Sequence, residues 1–344
     1  MLRLERENGH VRDEEVAFEA QTHTYTIRDS KSLTKPVSVT TLTSKGVWPA
    51  FDADATIDRI LSSEKYKSGE SPYAGMKRSQ IRAQWDAAGL EARVEGTKLH
   101  DRIEKWYNRE DATKDTKEGK KRELSDDTSS TSAGMRKSAR LAGQADRQPF
   151  GQADRQPFGQ ASAALSGQAS AALSGQEKEP KAVEDLREKG EEGDVGMGDI
   201  SWRQFRGWAD KNGHLRPYRT EWRIFSRRCN VAGSVDMVFY NERTGALDIY
   251  DWKRSKEIKC DGWGRYATHP LLKEDEIPDA NFYKYSLQLA AYKYILETEY
   301  ELPYPIGELW LVRMDGDESR MEGEAIRAAD MSGPIKKLME DRWN

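Results

Sequence analysis

The chain has 344 residues, of which 36% are hydrophobic and 33% are charged, so its apolar content is low for a chain that packs throughout, and we expect part of it to be disordered. No run of about 18 apolar residues occurs and the first ten residues are strongly charged, so we expect neither a membrane-spanning segment nor a secretory signal. The formal net charge of −4 does not decide between classes of partner, because binding of nucleic acid depends on local charge.

The residues up to position 108 predict strand and helix. Val16 to Ile27 alternates and is rich in β-forming residues, which predicts a strand. Asp52 suits the N-cap of a short helix that follows it. Apolar residues at helical spacing predict a longer helical region from Ser79 to about Asn108, with breaks near Gly89 and Gly96.

Residues 109–200 differ in composition from the rest of the chain. They include no Trp or Tyr and only two Phe, and they contain an eight-residue repeat: GQADRQPF begins at Gly143 and at Gly151, and GQASAALS at Gly159 and at Gly167. Such a composition buries too little apolar surface to offset its ordering entropy, which predicts a disordered insertion. Its origin is either repeat slippage or selection as a tether or partner-binding segment. Residues 1–108 and 201–344 are then expected to form one domain of about 250 residues.

The residues after the insertion alternate between predicted helices and strands, which indicates an α/β fold. The predicted helices span 202–210, 281–298 and 324–342, and the predicted strands span 221–226, 232–240, 246–253 and 307–314.

The most informative stretch is residues 233–255 (GSVDMVFYNERTGALDIYDWKRS), where two β-rich runs flank a polar turn and predict an antiparallel hairpin. A turn centred on residues 243–244 would place Asp236 opposite Asp251, with the two Cβ atoms about 5 Å apart. Lys253 would project to the same side as Asp251, because it is two residues further along the strand. The alternative is that both acids lie at strand ends as solvated or capping groups and that Lys253 merely pairs with one of them.

Two opposed carboxylates in a largely buried hairpin repel each other unless a cation lies between them. A divalent metal ion resolves this conflict. Hard carboxylate oxygens suit Mg²⁺ or Mn²⁺, which also accept phosphate oxygens as ligands.

Two further pairs of polar residues share a helical face. His100 and Glu104 are four residues apart, so an imidazole and a carboxylate could both reach a metal ion. Gln288 and Tyr292 have the same spacing on an otherwise apolar helix. Either pair could instead satisfy only local hydrogen bonds, so the spacing alone does not establish a site.

In combination, these residues resemble the PD-(D/E)XK nuclease superfamily, in its lambda-exonuclease and RecB-type branch. The resemblance rests on GT..H...E at residues 96–104, GSVD at 233–236, DWK at 251–253 and QL..Y at 288–292. The flanking segments SVTTLTSKGVWPAFDADATIDRI, YAGMKRSQIRAQWDAAG and PYRTEWRIF are similar to exonucleases of large nucleocytoplasmic DNA viruses and their relatives. The similarity covers nearly everything outside the insertion. It implies a restriction-endonuclease-like fold, a mixed central sheet flanked by helices.

The resemblance also implies a metal site. Asp236 and Asp251 would be the principal ligands of Mg²⁺ or Mn²⁺, joined by the backbone carbonyl of Trp252. His100 corresponds to the metal-binding histidine of the motif. Glu104 corresponds to the helix carboxylate that binds the metal directly or through water.

The remaining motif residues are implied to support catalysis. Lys253 corresponds to the lysine that positions or activates the attacking water and stabilises developing negative charge. Gln288 and Tyr292 correspond to the fourth motif, which supports the active site and the bound strand. Glu221, in TEWRIF, is a weaker candidate for a residue that contacts and supports the metal ligands.

The chain departs from its relatives in two respects. Asp251 stands where many of them have Glu, which shortens the reach of the carboxylate to a metal. The four-cysteine cluster of some RecB-type relatives is absent, so no iron–sulfur cluster is expected. The two cysteines, Cys229 and Cys260, fit neither a disulfide framework nor a metal-binding spacing and predict a reducing intracellular compartment, either nuclear or cytoplasmic.

Local charge favours a polyanionic substrate. Residues 201–270 contain 14 Lys and Arg against 8 Asp and Glu, a surplus of six in a chain that is acidic overall. Arg227, Arg228 and the run 253–256 are candidates for phosphate contacts, or else form a solvated face. Five tryptophans could stack on unpaired bases or belong to the core, namely Trp202, Trp208, Trp222, Trp252 and Trp263.

The function expected from the resemblance is a metal-dependent DNA exonuclease used in DNA recombination, repair or replication. Its partner would be DNA with linear or single-stranded ends, and an oligomer is possible. Two alternatives stay open: a catalytically inactive nucleic-acid-binding scaffold with the same fold, and a structure-specific endonuclease. The residues do not decide strand polarity or the preference for DNA over RNA.

Overall fold

The computed structural model describes residues 2–28, 33–109 and 200–343. The predicted disordered insertion and its eight-residue repeat lie outside the described residues, except for the terminal positions Arg109 and Ile200.

The N-terminal residues form a small antiparallel sheet. Helix α1 (Arg3–Glu7) and a 3-10 helix (Val11–Glu15) precede strands β1 (Val16–Glu19), β2 (Thr24–Arg28) and β3 (Leu33–Thr34), which pair in the order β1-β2-β3. The prediction of one strand over residues 16–27 is therefore wrong. Residues 20–23 (AQTH) form a turn, and Val16 pairs with Ile27 across the resulting hairpin.

Short elements follow this sheet. Strand β4 (Val37–Ser38) leads directly into α2 (Val39–Ser44), and α3 (Ala53–Ser62) is followed by α4 (Glu64–Lys67). The predicted cap of α3 is confirmed, because the side chain of Asp52 accepts a hydrogen bond from the backbone N–H of Ala55 at 2.8 Å.

Helix α5 (Arg78–Tyr107) is continuous over 30 residues, so the predicted breaks near Gly89 and Gly96 are wrong. One end of α5 packs Ile81 and Trp85 against α3, and the other packs Leu99 and its neighbours against the main sheet. Because both ends are anchored, the helix tolerates two glycines that each cost only about 1 kcal/mol relative to alanine.

The main sheet and its helices come from the residues after position 199. In chain order the elements are α6 (Ile200–Lys211), β5 (Leu215–Ser226), β6 (Val231–Asn241), β7 (Ala246–Arg254), a 3-10 helix (Pro270–Asp275), α7 (Asn281–Glu299), β8 (Ile306–Met314), β9 (Glu324–Arg327) and α8 (Ser332–Trp343).

The prediction of one helix over residues 324–342 is wrong at its start. Glu324–Arg327 forms β9, which pairs with the edge of β8. The helix begins only at Ser332, whose backbone N–H donates to the side chain of Asp330 at 2.9 Å.

The main sheet is mixed. Its strand order is β4-β6-β7-β8-β9, and β5 also pairs with β6. The pairs β4–β6 and β7–β8 are parallel and the others are antiparallel. The register predicted for the β6–β7 hairpin is confirmed over Met237–Asn241, where Met237 pairs with Tyr250 and Val238 with Ile249.

Helices cover both faces of this sheet. We call the face that packs against α7, α2 and α8 the α7 face, and the face that packs against α6 and the second half of α5 the α5 face. The α/β class with a mixed central sheet between helices is thus confirmed. None of the helices in the described residues has both the length and the apolar character needed to cross a membrane.

Candidate metal centre

The predicted site residues lie where the pairing along β6 changes partner. Strand β5 occupies one edge of β6 along its length, so β7 and β4 share the opposite edge. β7 pairs with Met237–Asn241 and β4 pairs with Val231–Ala232. Residues 233–236 lie between them, and we call this gap the fork.

Two acidic residues interrupt the side-chain alternation at the fork. Val235 packs on the α7 face and Met237 on the α5 face, although residues two apart on a regular strand share a face. Asp236 lies at this slip. In β5, Glu221 lies opposite it and has a φ of +41°, in the left-handed region. The irregularity keeps both carboxylates out of the apolar layers, with the side chains of Asp236 and Glu221 12% and 34% exposed.

His100 reaches the two acids from α5. Its Nδ1 lies 3.5 Å from Glu221 Oε1 and 3.6 Å from Asp236 Oδ2. Its Nε2 lies 3.1 Å from the backbone carbonyl oxygen of Trp252, which can only accept a hydrogen bond. Nε2 therefore carries the proton, and in the neutral ring Nδ1 presents its lone pair to the carboxylates. This is how a metal-binding histidine is usually oriented.

The donor set fits a divalent cation. Ligand atoms of His100, Glu221 and Asp236 all lie within 4.8 Å of one another. Two carboxylates suit Mg²⁺, and the added imidazole suits Mn²⁺ at least as well. The trio includes Glu221, which the sequence ranked as a weaker candidate, but neither Glu104 nor Asp251.

Asp251 and Lys253 form a buried ion pair beside this trio. Lys253 Nζ lies 2.5 Å from Asp251 Oδ2 and 4.7 Å from the centre of the Tyr285 ring on α7. Asp251 Oδ2 is buried and has no partner with hydrogen-bond geometry. The residue between them, Trp252, donates its backbone N–H to Asp236 Oδ2 at 3.0 Å. The backbone of β7 therefore joins the ion pair to the trio.

The fourth-motif residues lie on α7 at the other side of the fork. Gln288 Nε2 donates to the hydroxyl oxygen of Tyr292 at 3.0 Å, so the predicted shared face is confirmed. Tyr292 packs against the backbone of Gly233. A Cβ atom at that position would lie 2.7 Å from Tyr292 Cε1, so only glycine permits this approach.

The acids of the centre hold protons more tightly than they do in water. Burial raises the pKa of Asp251 to about 6, against the opposing effect of Lys253. Burial also raises the pKa of Asp236, and it raises that of Glu104 to about 7 with a contribution from Glu221.

The pKa values of the basic residues His100 and Lys253 are raised as well. Burial alone would lower the pKa of His100, but Asp236 and Glu221 together outweigh it and raise the pKa to about 9. Likewise, burial lowers the pKa of Lys253, whereas Asp251 and Asp236 raise it above its usual value. Burial therefore favours the neutral form of the acids, and the negative charge of the carboxylates that remain ionised favours the protonated form of the bases. A bound divalent cation would favour the ionised carboxylates and so counteract the effect of burial.

Comparison with known proteins does not assign the chain to a family. A scan against protein-family models finds no match, and a search of curated proteins finds none.

Sequence reasoning missed Tyr285 and did not place Glu221 beside His100. Tyr285 is three residues before Gln288, so helical spacing alone could have placed it next to the site. No local pattern marks Glu221, because its position depends on the pairing of β5 with β6.

Most of the tryptophans considered for base stacking belong to the core. Trp208, Trp222 and Trp252 are buried, and Trp202 is partly buried with the Arg102 guanidinium 4.1 Å from the centre of its ring. Trp263 is exposed.

Two of the candidate phosphate contacts already pair with acidic side chains of the protein. The guanidinium of Arg227 is paired with Glu15 at 2.9 Å, and Lys253 is directed into the centre.

Proposed function

We propose that this chain is a metal-dependent nuclease of the PD-(D/E)XK type that hydrolyses phosphodiester bonds in DNA, acting as an exonuclease in DNA recombination, repair or replication. The observation that carries the proposal is the Lys253–Asp251 ion pair, joined through Trp252 to the trio of Asp236, Glu221 and His100. Phosphodiester hydrolysis needs a metal ion to activate water and a positive charge to stabilise the transition state, and a carboxylate-rich cation site beside a lysine ammonium can supply both.

Glu221, Asp236 and Nδ1 of His100 would hold the Mg²⁺ or Mn²⁺ ion, with the buried oxygen of Asp251 as a further candidate. When bound, the cation neutralises the phosphate charge and favours deprotonation of water. Trp252 orients both flanking groups, because its N–H holds the Asp236 carboxylate and its carbonyl fixes the His100 ring.

Lys253 supplies hydrogen bonds to the reacting groups. Its ammonium can orient the attacking water and stabilise the negative charge that develops on the phosphate oxygens. Asp251 and the ring of Tyr285 restrict where that ammonium lies. In the reaction, a bond forms between the water oxygen and phosphorus while the ester P–O bond breaks, leaving one phosphate monoester end and one hydroxyl end.

The test is incubation of purified protein with end-labelled linear DNA and with closed circular DNA, in Mg²⁺, in Mn²⁺ and in chelator. We expect cleavage of linear DNA that requires the metal. Asp251→Ala and Lys253→Ala should each lower the rate by about 100-fold or more, the usual loss for one group that stabilises the transition state. Lys336→Ala is the matched control, since Lys336 is an exposed lysine on α8, which carries none of the site residues.

Other outcomes identify the alternatives. Binding of DNA without cleavage under any metal condition would favour the inactive scaffold. Cleavage of closed circles would favour the endonuclease. Equal losses for Lys253→Ala and Lys336→Ala would remove Lys253 from the chemistry.

A further inference from the structure

The segment that joins β7 to α7 exposes two aromatic side chains. Trp263 is 42% exposed and Tyr266 is 48% exposed. This segment begins directly after the strand that carries Lys253 and ends at the helix that carries Tyr285 and Gln288. Both of its ends are therefore elements of the candidate metal centre.

Trp263 occupies a backbone conformation that a bulky residue rarely adopts. The backbone N–H of Arg265 donates to the carbonyl of Gly262 at 3.0 Å, which closes a tight turn. Both central residues of this turn have positive φ, +55° at Trp263 and +73° at Gly264. Such turns favour Gly, Asn or Asp, and a tryptophan there is disfavoured. Trp263 is outside the buried core and 42% exposed, so core packing does not explain why tryptophan occupies the position.

The surrounding contacts hold this turn in place. The side chain of Asp261 accepts the backbone N–H of Trp263 at 2.7 Å, and the carbonyl of Arg265 accepts the backbone N–H of Asp279 at 2.9 Å. The Arg265 guanidinium also pairs with the buried Asp279 carboxylate at 3.2 Å. The indole is thus presented to solvent on a fixed backbone. Strain that the neighbouring structure maintains is characteristic of functional positions.

Basic charge lies where β7 passes into this segment. Arg254, the last residue of β7, and Lys256 are one and three residues after Lys253; both are exposed, and in the described part of the chain no acidic side chain pairs with either. Lysine and arginine at such positions contact phosphates without regard to base sequence.

We propose that Trp263 is a stacking platform for an unpaired base of the DNA strand that enters the metal centre, with Arg254 and Lys256 contacting its phosphates. This inference rests on the proposed function and adds the class of substrate, a single-stranded end. An aromatic ring stacks on any base, so the platform is sequence-tolerant. Because the turn is already ordered, little conformational freedom is lost when the strand binds.

The test uses the full-length protein and the variants Trp263→Gly and Trp263→Phe. Glycine removes the ring but suits the positive φ of the turn, so the melting temperature should be unchanged or higher. Phenylalanine keeps a stacking ring in the same backbone conformation. Leu271→Ala, at another exposed apolar residue of the same connection, is the matched control.

Affinity is measured by fluorescence anisotropy with a short labelled oligothymidine and with a blunt duplex, in Ca²⁺ in place of Mg²⁺, with gels to verify that the probes stay intact. We expect Trp263→Gly to bind the single strand about tenfold more weakly, and Trp263→Phe and Leu271→Ala to stay within about threefold of the parent. Trp263→Gly should change the affinity for the duplex less than it changes the affinity for the single strand.

Unchanged affinity in Trp263→Gly overturns the inference, as does a parent protein that does not bind the single strand. A lower melting temperature with equal affinity losses in Trp263→Gly and Trp263→Phe also overturns it, because the ring would then be a structural element. The proposed function is judged separately by metal-dependent cleavage. A parent that cleaves DNA while Trp263→Gly binds normally defeats the inference alone. A parent that binds through Trp263 without cleaving defeats the nuclease proposal alone.

Discussion

At the scale of single residues, two glutamates, Glu221 and Glu104, are candidates for the metal ligand beside His100. Glu221 lies 3.5 Å from His100 and belongs to the trio of potential ligands, whereas Glu104 does not. Glu104 is a candidate ligand because it lies four residues after His100 on the same helix. The place of Glu221 depends on a strand pairing that no local pattern encodes. The two residues therefore form a natural matched pair for testing which carboxylate holds the metal.

We expect Glu221→Gln to lower the affinity for Mn²⁺ by about tenfold or more, because the amide keeps the shape of the side chain but removes the charge of a ligand. Glu104→Gln should change the affinity by no more than about threefold. Isothermal titration calorimetry on the metal-free protein measures both. A larger loss in Glu104→Gln than in Glu221→Gln would make the helix carboxylate the ligand and leave Glu221 as a supporting group.

At the scale of secondary-structure elements, the continuity of α5 leads to a stability prediction. Gly89 lies in the middle of the helix, and a Cβ atom there would contact no other atom within 4 Å. Gly89→Ala should therefore raise the free energy of unfolding by about 0.4–1 kcal/mol, because alanine loses less backbone entropy than glycine. Urea denaturation measures this change.

Gly245 provides the opposite control for that experiment. It has a φ of +71° in the turn between β6 and β7, so Gly245→Ala should lower the free energy of unfolding by about 1 kcal/mol. If Gly89→Ala were also destabilising, α5 would be interrupted near its centre in solution, as the sequence first indicated.

The elements that the sequence predicted well are those fixed by local pattern. The β6–β7 register follows from one turn and a period of two, and the Gln288–Tyr292 contact follows from helical spacing. The fork could not be predicted, because it requires Val37 to pair with Val231, far away in the chain. Residues 324–327 were misassigned for a related reason: they form a strand only because the edge of β8 is there to pair with.

At the scale of the whole molecule, the two parts of the chain meet at the ends of the predicted insertion. Near the C-terminal end of α5, the Trp106 ring lies 5.4 Å from that of Phe205 on α6, and the Tyr107 ring lies 5.8 Å from it. The guanidinium of Arg206 lies 4.9 Å from the centre of the Trp106 ring. These contacts hold the start of α6 beside the end of α5 independently of residues 110–199.

We therefore expect that residues 110–199 can be replaced by a Gly/Ser linker of about eight residues without loss of the fold, since such a linker can cover the short distance between neighbouring helix ends. If the segment is disordered, as its composition predicts, shortening the loop from about 90 residues to about eight lowers the entropic cost of closing it. The free energy of unfolding should then rise by about 2 kcal/mol. Urea denaturation measures the gain, and Mn²⁺ titration checks that the metal centre is unchanged. A less stable or insoluble variant would show that residues 110–199 contribute structure, and weaker metal binding at equal stability would show that they contribute to the centre.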